Sequence, residues 1–202
     1  MSGPSEQMAK EVMAMNVEYS LAPFCNWFLP SCLDMWSSGD GHRVLCSYGA
    51  RSMVCLFSLT DSKAIRSHDC LNVFNTNKSI ISCNKFNRNA RKPYLFIGSN
   101  EGEAALLDCD TNELIYPKIE LSDLNLPSKK ILSADWSHVN DNSVVYYCIH
   151  SVIISWNTST QTTNRLMIGD NYHNTIAISC IVSTSCGQQK LAIGSVIHSH
   201  VL

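Results

Sequence analysis

An aromatic pair near the N-terminus, Trp27-Phe28 preceded by Asn26, is the first candidate for binding chemistry in this sequence. Neighbouring residues of a strand point to opposite faces of a sheet, so the two rings cannot both enter the same buried layer. An aromatic ring exposed where a strand begins is a stacking platform for a flat RNA base. The alternative is structural, because the two rings could instead fill the space between packed sheets.

A basic stretch over residues 85–92 (KFNRNARK) is the second candidate. Its four cations are Lys85, Arg88, Arg91 and Lys92. Four positive charges around one aromatic ring could contact the phosphates of a nucleic acid. We expect the stretch to lie on the loop between the first two strands of a repeating unit. Surface loops are charged for solubility more often than for binding, so a solvated loop is the alternative.

Metal and catalytic chemistry find little support. The sequence His198-Ser199-His200 places two imidazoles on one face of a strand, but no third ligand is visible nearby. The ten cysteines form no CxxC pair, and the motifs of serine hydrolases, P-loop enzymes, zinc proteases and dinucleotide-binding enzymes are missing. Asp34 and Asp135 could form a carboxylate pair, although no spacing supports it. We therefore predict no metal, no cofactor and no enzymatic activity.

The elements that must position these residues follow a repeat of about fifty residues. Related strand-rich segments surround Leu45, Leu95, Val144 and Leu191, which are 50, 49 and 47 residues apart. Each complete unit contains short apolar runs separated by tight turns, which indicates four short strands. A fixed period of this size predicts an all-β fold of stacked four-stranded blades, a β-propeller. Propellers are usually recognition platforms that bind through loops and edges.

The number of units predicts an incomplete ring. Residues 1–22 are polar and are predicted to be a disordered tail, and residues 23–202 a partial propeller of about three and a half blades. Closed propellers commonly contain about four to eight blades. We therefore expect a fragment or truncated form of a longer protein, whose outermost sheets leave faces and edges open.

Composition limits the partners and the compartment. Of the 202 residues 45% are hydrophobic and only 16% are charged, which fits strands buried on both faces. The net charge of −2 excludes a general attraction for nucleic acid, so RNA binding would need a local site. Without a signal peptide or a long apolar run, the sequence predicts an intracellular chain with reduced thiols and no membrane contact.

Several dipeptides give the units a resemblance to degenerate WD repeats. The pairs at the position of the family's Trp-Asp dipeptide are Phe57-Ser58, Leu107-Asp108 and Trp156-Asn157. The pair Trp136-Ser137 ends an inner strand, as a Trp-Ser pair often does in that family. The Gly-His pair that starts typical WD repeats is missing. The resemblance implies an incomplete WD-repeat propeller.

The opening of the chain is similar to a more specific family. Pro23, the triplet Asn26-Trp27-Phe28 and Cys32 are followed by the link Ala50-Arg51-Ser52-Met53-Val54. Together with ILSADWSH, TIAISCIVS and KLAIGS, these segments resemble the WD-repeat Gemin family of the SMN complex (rigor mortis-like snRNA-binding proteins) over residues 23–196. The resemblance implies recognition of the Sm site and cap of pre-snRNA for spliceosomal snRNP assembly.

The resemblance also assigns roles and partners. It places Trp27 and Phe28 in the RNA site as stacking residues; Phe28 replaces the family's usual Tyr, so a hydroxyl hydrogen bond is lost. The rest of the family's RNA pocket lies in later blades. The implied partners are snRNA, other SMN-complex proteins and nuclear receptors, in the cytoplasm and the nucleus. A protein-interaction scaffold without RNA binding is the alternative function.

Overall fold

The structure of the protein is a computed structural model. It describes residues 31–38, 44–50, 52–58, 68–75, 78–88, 90–119, 126–139, 142–167, 176–184 and 190–197. Within these ranges the chain forms fourteen β-strands and no helix, so the all-β prediction is confirmed for them. The predicted tail, the aromatic pair Trp27-Phe28 and the sequence His198-Ser199-His200 lie outside the described residues.

The strands form four antiparallel sheets in chain order. The first sheet contains β1 (Cys32–Ser37), β2 (Val44–Ala50), β3 (Met53–Ser58) and β4 (His68–Asn72). The second contains β5 (Ile81–Phe86), β6 (Tyr94–Ser99), β7 (Ala104–Asp108) and β8 (Glu113–Ile115). The third contains β9 (Ile131–Val139), β10 (Asn142–Ile149), β11 (Val152–Asn157) and β12 (Thr162–Met167), and the fourth pairs β13 (Ile176–Thr184) with β14 (Lys190–Ile197). Three four-stranded sheets and one two-stranded sheet are compatible with blades of a propeller.

Two strands differ from the sequence-based expectation. The fourth strand of the first unit, β4, lies in a segment of mixed polarity (HDCLN) for which no apolar run marks a strand. In the second unit the largely apolar run ELIYPKIEL forms a strand only as far as Ile115, two residues before Pro117. Proline has no N–H to donate to a neighbouring strand, so the ladder cannot continue through it.

The repeat has a structural counterpart in three inner strands. In β5, β9 and β13 a fully buried isoleucine is followed by one bulged residue that has no partner in the register of the neighbouring strand. The isoleucines are Ile81, Ile131 and Ile178, which are 50 and 47 residues apart. The same local geometry therefore recurs at the interval seen in the sequence.

Successive sheets pack face to face. One core lies between the first and second sheets and includes Trp36, Leu56, Phe86 and Ile97. A larger core lies between the second and third sheets and includes Phe96, Leu106, Tyr147, Ile154 and Trp156. A smaller core joins the third and fourth sheets through Tyr146, Cys148, Ile153, Ile178 and Ile181. The second and third sheets are thus covered on both faces, which explains the low content of charged residues.

Strand β7 shows how one strand serves two cores. All five of its residues are buried. Ala105 and Leu107 belong to the core shared with the first sheet, whereas Ala104 and Leu106 belong to the core shared with the third. Because side chains alternate across a strand, an uninterrupted apolar run is needed where both faces are covered.

Polar contacts between inner strands join the sheets at repeated positions. The Asp34 carboxylate accepts a hydrogen bond from the backbone N–H of Phe86 at 2.7 Å. The Asp135 carboxylate accepts one from the backbone N–H of Ser183, also at 2.7 Å. These two acids, which the sequence left open as a carboxylate pair, each connect one sheet to the next. Their roles are structural.

Candidate functional site

The basic stretch is divided between a strand and a loop. Lys85 lies within β5, and the stretch continues onto the β5–β6 loop after Phe86. The expectation that all of it lies on a loop is therefore wrong for Lys85 and Phe86. Phe86 is also buried in the core between the first two sheets, so its ring is not accessible to a base.

Arg88 is engaged in a contact within the protein. Its guanidinium donates to the Asp34 carboxylate at 2.8 Å, and the arginine side chain is 64% exposed while that of Asp34 is only 8% exposed. The same carboxylate accepts the Phe86 N–H, so it is held by a backbone and a side-chain donor together. An ion pair with one exposed partner contributes little to stability, but it directs Arg88 towards the first sheet.

Arg91 and Lys92 are the cations of this loop that remain available. Both are exposed, and within the described part of the chain neither takes part in an ion pair. A hollow of about 230 Å³ is lined by Ala90, the residue before Arg91, by Tyr94 and by Ser143 of the third sheet. Of the four predicted phosphate contacts, these two are placed best for a ligand in solution.

Asp108 and Asn157, each the last residue of the third strand of its sheet, share a structural role. Oδ1 of Asp108 accepts the backbone N–H groups of Asp110 and Thr111 at 2.9 and 3.3 Å. Oδ1 of Asn157 accepts those of the second and third residues after it at 3.0 and 3.1 Å. Each side chain thus closes the turn that follows the third strand of its sheet. Aspartate and asparagine both suit this position because each has an Oδ1 atom that can accept the two backbone N–H groups.

The aromatic pair and the two C-terminal histidines belong to segments that the structure does not describe. Trp27, Phe28 and His198-Ser199-His200 lie outside the described residues, so their roles stay predictions. Across the described ranges, no three or more histidine, cysteine, aspartate or glutamate side chains are grouped as metal ligands would be. Those ranges also contain no helix with the length and apolar character needed to cross a bilayer.

Sequence reasoning did not find a second hollow, between the first and second sheets. It has a volume of about 380 Å³, and Glu103 and Tyr116 are among its lining residues. Glu103 precedes β7, whereas Tyr116 follows β8. The two side chains come together only through the pairing of strands and the packing of sheets, and no local motif marks either of them.

Buried thiols dominate the acid–base properties of the core. Cys83 and Cys148 are buried free thiols. Burial raises the pKa of Cys83 from its ordinary value of 9.0 to about 12, with smaller contributions from Cys32 and Cys148. Burial also raises the pKa of Cys148 and of Tyr147. Each shift favours the protonated, uncharged form in the folded protein.

We therefore expect the free energy of unfolding to fall in alkaline solution. The contribution of Cys83 to the free energy of unfolding is fully present below about pH 9, where its thiol is protonated in both the folded and the unfolded state. This contribution is lost as the pH rises towards about 12. Urea unfolding midpoints at pH 8 and pH 11 measure the effect. Between pH 8 and pH 11, the unfolding midpoint of Cys83→Ala should decrease less than that of the wild type. Equal decreases in the two proteins would show that the Cys83 thiol does not cause the effect.

Comparisons with known proteins give no match. No family model matches the sequence, and no curated protein matches it either.

Proposed function

We propose that this chain is part of a WD-repeat β-propeller that acts by binding and not by catalysis, as an RNA-recognition platform of the kind used in spliceosomal snRNP assembly. The observation that supports the platform is the face-to-face stacking of the sheets, in which a buried isoleucine and a bulge recur at Ile81, Ile131 and Ile178. The resemblance to the WD-repeat Gemin family supports RNA as the ligand.

The charge distribution supports a local site for RNA. The chain has a net charge of −2, so no general electrostatic attraction draws it to a polyanion. Arg91 and Lys92 are exposed on the β5–β6 loop, which supports them as candidate phosphate contacts, while Arg88 is held by Asp34. Stacking on Trp27 and Phe28 would supply the contact with bases.

In a chain extended through the later blades that the resemblance implies, we expect Trp27→Ala to weaken binding of a short uridine-rich RNA containing an Sm site. The expected loss is about 1–3 kcal/mol, the value of one base stacked on an aromatic ring. This corresponds to an increase of about 5- to 150-fold in Kd. Fluorescence anisotropy with a labelled oligonucleotide measures it. Equal affinities of the wild type and Trp27→Ala would remove this residue from the site.

A pair of loop variants serves as the electrostatic control. Combined replacement of Arg91 and Lys92 by glutamine should reduce the salt dependence of RNA binding, because each phosphate contact releases counterions. Arg88→Gln should change the salt dependence less, since that guanidinium is directed to Asp34. An identical salt dependence in all three proteins would exclude the loop from RNA contact.

A protein-interaction scaffold is the second candidate, and one observation favours it. Large apolar side chains are exposed on the first sheet at Leu33 and Met35 and on the fourth sheet at Val182. Exposed apolar surface of this kind is often covered by a partner protein. SMN-complex proteins and nuclear receptors are the partners to test. A complex that survives nuclease treatment, from a chain without salt-dependent RNA binding, would favour this function.

A further inference from the structure

The 380 Å³ hollow between the first two sheets combines one carboxylate with aromatic and apolar walls. Its main lining residues are Val73 and Phe74 after β4, Glu103 before β7, and Tyr116, Pro117 and Ile119 after β8. The volume falls within the range of roughly 300–1,000 Å³ that ligand sites occupy. It is therefore large enough for a side chain of a partner molecule.

The Glu103 carboxylate is fixed at one oxygen and available at the other. Its Oε2 atom accepts the hydroxyl groups of Ser79 and Ser99, two residues that are almost completely buried. The backbone N–H of Glu103 also donates to the Ser99 hydroxyl at 3.0 Å, which holds the turn in place. Within the described ranges Oε1 has no hydrogen-bond donor, and no lysine or arginine forms an ion pair with this carboxylate.

Tyr116 presents an aromatic ring beside this carboxylate. Its hydroxyl donates to the Val73 carbonyl at 2.7 Å, which fixes the orientation of the ring. The residue is nevertheless 51% exposed, which is unusual for a large aromatic side chain. Burial and then the charge of Glu103 raise the pKa of Tyr116, which agrees with the proximity of the two groups.

A negative charge next to an exposed aromatic ring is the arrangement that recognises an organic cation. A carboxylate attracts an ammonium or guanidinium group through charge-assisted hydrogen bonds, and the face of a tyrosine ring attracts it through its quadrupole. The apolar walls suit the aliphatic stem of the same side chain. We propose that this hollow binds the cationic side chain of an arginine or lysine in a partner peptide.

This site is independent of the proposed RNA function. The free carboxylate repels phosphate, so RNA is not its ligand. The hollow also draws on residues of the first two sheets that were not assigned a role in RNA binding. Loss of RNA binding in the tests above would leave this proposal unaffected, and the converse holds as well.

The test is a titration of the full chain with N-acetylarginine amide, N-acetyllysine amide and the uncharged N-acetylnorleucine amide, followed by NMR of the methyl groups. Val73 and Ile119 line the hollow and provide the reporters. We expect saturable shifts of these methyl groups with a cationic probe and none with norleucine. The comparison of arginine with lysine identifies which cation the site prefers. Equal shifts with norleucine, or none with either cation, would overturn the proposal.

Variants test the two groups separately. Glu103→Gln keeps the shape and an oxygen for the Ser99 hydroxyl but removes the charge, and we expect at least tenfold weaker binding of the preferred cation. Tyr116→Leu should weaken it severalfold. Tyr116→Phe loses the hydrogen bond to Val73 but keeps the ring, so it should bind more tightly than the leucine variant. If Glu103→Gln does not fold, the comparison of the two tyrosine variants still tests whether the hollow binds a cation. Unchanged affinity in a folded Glu103→Gln, or equal affinity of the leucine and phenylalanine variants, would contradict the proposal.

Discussion

Trp156→Ala is expected to lower the free energy of unfolding by about 3–5 kcal/mol, the usual loss for truncation of a large buried aromatic side chain. Trp156 is 0% exposed and is the largest completely buried side chain among the described residues. It packs in the core between the second and third sheets, where Phe96 and Tyr147 also meet at 5.0 Å between ring centroids. Urea denaturation followed by far-UV circular dichroism measures the loss.

Trp156→Phe is the matched control. The indole Nε1 of Trp156 is buried without a hydrogen-bond partner among the described residues, so phenylalanine removes an unsatisfied donor while it keeps an aromatic ring. We expect a loss well below that of Trp156→Ala, because phenylalanine leaves a smaller cavity than alanine. Leu33→Ala, at a side chain that is 64% exposed, should have little effect. If Trp156→Ala were as mild as Leu33→Ala, the described packing of the third sheet would be wrong.

Gly98→Val is expected to destabilise the protein by about 3 kcal/mol, at the upper end of the range for overpacking. A Cβ atom at Gly98 in β6 would lie 2.7 Å from Cγ2 and 2.9 Å from Cβ of Ile131, which belongs to the next sheet. The second and third sheets approach so closely here that no side chain fits. The free energy of unfolding in urea is again the measurement.

Two second-site variants identify the steric cause. Ile131→Leu removes the branch at Cβ while it conserves volume, so it should recover at least about 1 kcal/mol of the loss in Gly98→Val. Ile131→Val removes only the Cδ1 atom and keeps the Cγ2 methyl that makes the closest contact. It should recover much less. Equal recovery, or strict additivity in both combinations, would show that the two residues are not in steric conflict.

The stacked sheets could be predicted because each one repeats the same chemistry at a nearly constant interval. Apolar runs that are buried on both faces, such as β7, leave a clear pattern even in a single sequence. A strand of mixed polarity such as β4 leaves none, since its burial depends on neighbours that lie far away along the chain. Pro117 is an instructive case, because its effect on β8 follows from local chemistry and could have been anticipated.

The candidate sites were harder to predict, because their side chains meet between strands that lie far apart in the sequence. Four cations within eight residues suggest one basic surface, yet Lys85 belongs to a strand and Arg88 turns to the Asp34 carboxylate, 54 residues away. Glu103 and Tyr116 approach each other through the packing of two sheets. Sequence spacing carries information about residues on one element, but very little about side chains that meet between elements.

Within the part of the chain that the structure describes, each sheet packs on its neighbours in sequence, which makes the energetics of this part almost one-dimensional. Its stability is then close to a sum over adjacent layers, as in solenoid proteins. Among the described residues, the second and third sheets gain from two interfaces each, whereas the fourth contacts the smallest of the three described cores. Partial opening should therefore start at the fourth layer and move inward, leaving the pair of layers around β7 as the most persistent part of the protein.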